Sequence, residues 1–68
     1  LMALYSKYSP ADLIEITIAG VRHVGLILST TPAPRRGMLP MLQVQWSGTP
    51  PRDYQVEWIS EQGVKKVK

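Results

Sequence analysis

The sequence predicts a small all-β barrel of about five strands, and three observations carry that prediction. Aliphatic and polar residues alternate over short stretches, as in Ile14, Ile16 and Ile18 against Glu15 and Thr17. Prolines and glycines gather between such stretches. No apolar stripe at helical spacing is long enough to make an amphipathic helix.

With 68 residues the chain is one domain at most, and much of the surface of so small a domain stays wet. There is no cysteine, so neither disulfides nor thiolate metal sites can supply stability. Packing or self-association must supply it. Phe is absent, which leaves Trp46, Trp58 and the three tyrosines as the only aromatic core material. No apolar run approaches the roughly 20 residues that span a bilayer. Met2 reads as the natural start, and no signal-peptide pattern surrounds it, so the expected location is cytoplasmic with no membrane contact. The net charge of +3 permits an acidic partner without requiring one.

Residues 1–9 read as an N-terminal arm ahead of a barrel domain over 10–68. The arm wraps across the barrel or pairs with an edge, and Pro10 discourages a helix before it. Asp12 is expected to order the turn into the first strand. That strand covers Leu13 to Ala19 with Ile14, Ile16 and Ile18 inward, and Gly20 supplies the turn. Arg22 to Thr30 resumes the alternation, with Val24, Leu26 and Leu28 expected on the buried face. Gly25, inside this second strand, marks a bulge, a bend or a close backbone approach. Residues 31–40 carry three prolines, a glycine and an arginine pair, and must be an exposed loop.

A third strand runs from Met41 to Trp46, and residues 47–53 form a turn. Tyr54, Val56 and Trp58 then alternate with Gln55 and Glu57 as a fourth strand, paired with the third as a hairpin. The tail predicts a single 3₁₀ turn and a short last strand anchored by Val64 and Val67.

A long loop, a hairpin, a 3₁₀ turn and a terminal strand in that order fit an SH3-like barrel. Residues 10–28, PADLIEITIAGVRHVGLIL, resemble a KOW-type SH3-like motif: a Pro-x-acidic opening, an alternating strand, then a later Gly followed by aliphatics. The resemblance extends over MLQVQWSG and YQVEWISEQGVKKV, covering roughly residues 10–67. It departs from the pattern at Ala11, where a glycine is common, and in the proline-rich loop. Barrels of this kind are similar to ones found in phage and environmental sequences. The resemblance implies either a protein-interaction module or a KOW-like nucleic-acid-binding (RNA or DNA) protein.

No reactive constellation stands out. His23 has no grouped partner and reads as a surface residue at the start of a strand. The five carboxylates are scattered, no serine sits in a nucleophile elbow, and no glycines form a phosphate loop. The expectation is therefore a non-enzymatic chain with no metal or cofactor. One SH3-like enzyme, the trimethoprim-insensitive plasmid-type dihydrofolate reductase, carries a Val-Gln-Ile-Tyr run. The nearest stretch here, Tyr54-Gln55-Val56-Glu57, has a carboxylate where that run has its tyrosine, so the activity is not carried over.

Two surfaces are then the candidates. Trp46, Trp58 and Tyr54 share a face, and with Tyr8 they either fill the core or form a partly exposed platform that docks a protein. Arg22, Arg35, Arg36, Lys65 and Lys66 are either a solvated rim or phosphate contacts. Ile27 and Val21, expected opposite Val24 and Leu26, add apolar surface together with Met38, Leu39 and Met41. That surplus predicts a homo-oligomer or a protein partner.

Overall fold

The computed structural model describes residues 4–48 and 55–67. It contains five strands: β1 (Leu13–Ile18), β2 (Val21–Thr31), β3 (Met41–Trp46), β4 (Val56–Ser60) and β5 (Lys65–Lys66). They form one antiparallel sheet in the order β4-β3-β2-β1-β5. The all-β prediction holds, and no helix occurs among the described residues. The sheet is open: β4 and β5 are its edges, and no ladder joins them among the described residues.

Two left-handed alanines shape the first hairpin and its approach. Ala19 (φ 50°) and Gly20 (φ 80°) form the two-residue connection between β1 and β2. Positive φ at both positions is the type I′ pattern, whose twist matches that of the strands. Upstream, the Asp12 amide donates to the Ser9 carbonyl (3.1 Å) across Pro10 and Ala11 (φ 75°). Pro second and a left-handed residue third define a type II turn. The Ser9 amide donates to Asp12 Oδ2 (2.9 Å), the ordering role expected of Asp12. Substituting Ala11→Gly or Ala19→Gly should each stabilise the fold by about 0.5–1 kcal/mol, because L-residues resist left-handed backbone more than glycine's extra unfolded-state entropy costs. Urea melts of the two variants test this; a lower midpoint in either would contradict it.

The hairpin arithmetic corrects one expectation. Ile18 opposes Val21, so Ile16 opposes His23 and Ile14 opposes Gly25. Directly opposed residues share a face. With Ile14 fully buried, the inward residues of β2 are therefore His23, Gly25 and Ile27. Val24, Leu26 and Leu28, expected inside, turn outward instead, while Ile27, expected outside, is core. Only Val21 stays exposed as expected.

Gly25 marks the closest approach in the sheet. A Cβ there would lie 2.3 Å from Val44 Cγ1 and 2.9 Å from Trp46 Cε3, so the missing side chain is what lets β3 lie against β2. The bulge lies further on. Ile27 opposes Val44, but Ser29 opposes Gln43, leaving Leu28 as the extra residue. Beyond it the parity of β2 switches, and Thr30 now opposes the buried Leu42.

The core gathers Ile14, Ile27, Leu42, Val44 and Trp46 from the sheet, closed over by Tyr8 and Val64, with Ile16 and Ile59 at its margin. Tyr8 comes from the N-terminal arm. Its hydroxyl donates to the Val64 carbonyl (2.7 Å), and Ser6 Oγ donates to Glu61 Oε1 (2.7 Å). The Leu4 carbonyl accepts from the Ala33 amide (2.9 Å), which ties the arm to the proline loop as well. Residues 34–39 of that loop are exposed, as its composition predicts.

In place of a 3₁₀ turn, residues 61–64 form one β-turn. The Val64 amide donates to the Glu61 carbonyl (3.2 Å), with Gly63 left-handed (φ 76°) in the third position. A left-handed residue there ends the turn rather than propagating it into a 3₁₀ helix.

Candidate interaction surface

β4 departs from its expected facing in the same way as β2. Gln45 opposes Val56, Val44 opposes Glu57 and Gln43 opposes Trp58. Since Val44 is inward, Glu57 is inward too, and Val56 and Trp58 point out. An inward carboxylate on an apolar face is tolerable when it is hydrogen-bonded. Trp46 Nε1 donates to Glu57 Oε1 (2.7 Å), which satisfies the indole and gives the acid a buried-side donor.

The four residues read as a docking set therefore separate. Trp46 and Tyr8 are core, Trp58 is 48% exposed, and Tyr54 lies outside the described residues. The expected common face of Trp46 and Trp58 does not exist, because they lie on opposite faces of the sheet.

What the outer face presents is a row read straight across four strands, apolar on β1, β2 and β4 and interrupted by Gln45 on β3. Leu13 opposes Leu26, Leu26 opposes Gln45, and Gln45 opposes Val56. Leu13 is 47% exposed and Val56 49%. Two shallow hollows open beside the row. One of about 240 Å³ is lined by Thr31, Met41 and Trp58. The other, of about 190 Å³, lies between Leu13, Leu26 and Gln45. Leu13, Leu26 and Val56 were not recognisable as a group from alternation alone, since their alignment depends on the register. The Ala19–Gly20 connection was the available signal, because a two-residue turn fixes which residues of β1 and β2 oppose.

The basic residues fall in two places. Arg22 is paired with Glu15, and Lys65 opposes the same Glu15 from β5. Lys66 Nζ lies 3.8 Å from Asp12 Oδ1. Acids thus interleave with the bases at this end, and such exposed pairs contribute little to stability. Arg35 and Arg36 sit in the proline loop past the far end of β2, about 30 Å of strand from Arg22. The structure does not bring the five into one patch.

His23, expected at the surface, is buried at 3% exposure because the hairpin register turns it inward beside Ile16. Its ring meets Trp46 edge-on, with centroids 6.4 Å apart and planes at 75°. Its Nδ1 has no hydrogen-bond partner. Among the described residues no three His, Cys, Asp or Glu side chains cluster to hold a metal ion. No described helix is long and apolar enough to cross a membrane. No family model, curated protein or solved structure matches the chain.

Proposed function

We propose that this chain is a non-enzymatic SH3-like interaction module that acts by oligomerisation or by docking a protein on the outer face of its sheet. The observation that carries the reading is the exposed row of Leu13, Leu26 and Val56, with Trp58 beside it. Exposed apolar side chains grouped on one face of a small domain are where partners bind, and an exposed Trp is the side chain best suited to anchor one. The strand order supports the SH3-like reading, since it places the last strand against the first, as a short coiled sheet needs in order to fold over itself. The location we propose is the cytoplasm.

Leu26→Lys tests the reading. The side chain faces out, so the thermal midpoint should change by no more than a few degrees, while complexes with another protein docked on that face should be lost. Sedimentation velocity of labelled chain in cell extract reads the loss. A docked complex that survives the substitution would overturn the docking reading. Salt-dependent retention of RNA or DNA that weakens in Arg35→Ala/Arg36→Ala would favour the KOW-like nucleic-acid reading instead.

A further inference from the structure

We infer that β4 is a dimerisation edge, at which a second copy of this chain adds its own β4 in antiparallel register about a two-fold axis through Trp58. The inference rests on the interaction-module reading and names the partner.

Backbone direction comes first. The Trp46 amide donates to the Gln55 carbonyl (2.9 Å), and the Glu61 amide donates to the Pro40 carbonyl (3.1 Å). These two bonds bracket the β3–β4 ladder and have the same parity. By the alternation of antiparallel ladders, Glu57 and Ile59 turn their backbone groups toward Val44 and Leu42. Val56, Trp58 and Ser60 therefore turn theirs away from β3, and no described strand pairs with that side.

The two edges of the sheet are treated differently. The β5 edge is two residues long and both are lysines, which is how natural sheets discourage edge-to-edge pairing. The β4 edge reads Val-Glu-Trp-Ile-Ser, with no lysine, proline or bulge. Its one charge, Glu57, would guard the edge as an inward carboxylate, but that carboxylate is bound to the Trp46 indole of its own chain.

Charge then selects the register. A two-fold axis through Glu57 would oppose two carboxylates, and one through Ile59 would set Glu57 against Glu61 of the partner subunit. Both are like-charge pairs, which destabilise a ladder. An axis through Trp58 opposes Trp58 with Trp58 of the partner subunit, Val56 with Ser60 of the partner subunit, and Glu57 with Ile59 of the partner subunit. The outward-turned amides and carbonyls then all meet partners, and an aromatic cross-strand pair forms at the centre. The hollow lined by Thr31, Met41 and Trp58 lies beside that pair on the outer face.

The test uses the whole chain, by sedimentation velocity over a range of concentrations and by cross-linking. The wild-type chain should show a reversible monomer–dimer equilibrium. Trp58→Lys, which sets two cations face to face at the axis while leaving the core untouched, should weaken association by about tenfold or more. Because the chain has no native cysteine, Trp58→Cys should form a disulfide dimer under mild oxidation, since opposed Cα atoms about 5.5 Å apart are within bridging range. Ser60→Cys should not, as its counterpart lies four residues out of register. A chain that stays monomeric with no Trp58→Cys cross-link would overturn the inference, as would a dimer that Trp58→Lys leaves intact. If the chain is monomeric but Leu26→Lys still abolishes binding of another protein, the interaction-module reading survives and only the self-pairing fails.

Discussion

Gly25→Ala should destabilise the domain by about 3 kcal/mol or more, at the upper end of what overpacking does. The new methyl would enter space held by Val44 Cγ1 at 2.3 Å and Trp46 Cε3 at 2.9 Å, with the Gln45 carbonyl oxygen at 3.2 Å. Neither neighbour can give way easily: Val44 and Trp46 are both core, and the indole is held by its bond to Glu57. A domain of 68 residues has about 3–10 kcal/mol of stability in total, so this substitution alone brings it close to unfolding. Urea denaturation measures the loss. The mechanism predicts a specific coupling: in the Gly25→Ala background, Val44→Ala should cost less than it does alone, by about 1–2 kcal/mol, because it clears the clash. A Gly25→Ala melt indistinguishable from wild type would mean that β2 and β3 lie further apart than described.

The second large effect is expected at the N-terminal arm. Tyr8 is 7% exposed, and its ring closes the core between the sheet and Val64. Truncation by Tyr8→Ala should cost about 3–5 kcal/mol, the range for removing a buried aromatic. Tyr8→Phe keeps the ring and deletes only the hydroxyl that donates to the Val64 carbonyl, leaving that carbonyl short of a partner; the loss should be about 1–2 kcal/mol. The gap between the two variants separates packing from hydrogen bonding. If Tyr8→Ala melted with the wild type, the arm would be an appendage and the domain would begin at Pro10, as composition alone suggests.

The all-β class was legible in the sequence, though not the closure of the sheet, because alternation and proline placement are local signals. The five strands, the proline loop, the Gly20 turn and the β3–β4 hairpin all follow from them. Inward and outward were legible on β3 and on β1 at Ile14 and Ile16, though Ile18, expected inward, lies exposed at the hairpin end; they were inverted on β2 and β4, for different reasons. β2 is apolar on both parities, with Val24, Leu26 and Leu28 on one and Val21 and Ile27 on the other, so hydrophobicity could not choose between them. The choice came from the turn register and from a glycine that counts as a core position by having no side chain. On β4 the acid points in and the tryptophan points out, the reverse of what transfer energies favour. The Trp46 hydrogen bond, which joins positions eleven residues apart, offsets that preference.

The candidate surface was half legible. Trp58 was singled out by residue type, but the Leu13–Leu26–Val56 row needs strand pairing, which periodicity within one strand does not encode. The two positive-φ alanines are likewise invisible to propensity, since alanine carries no mark of the left-handed backbone it adopts.

The bond between Tyr8 and Val64 spans 56 residues of chain. A nascent chain on the ribosome therefore cannot close this core until Val64 has left the exit tunnel, and the inner face of the sheet lacks its Tyr8–Val64 cover until then.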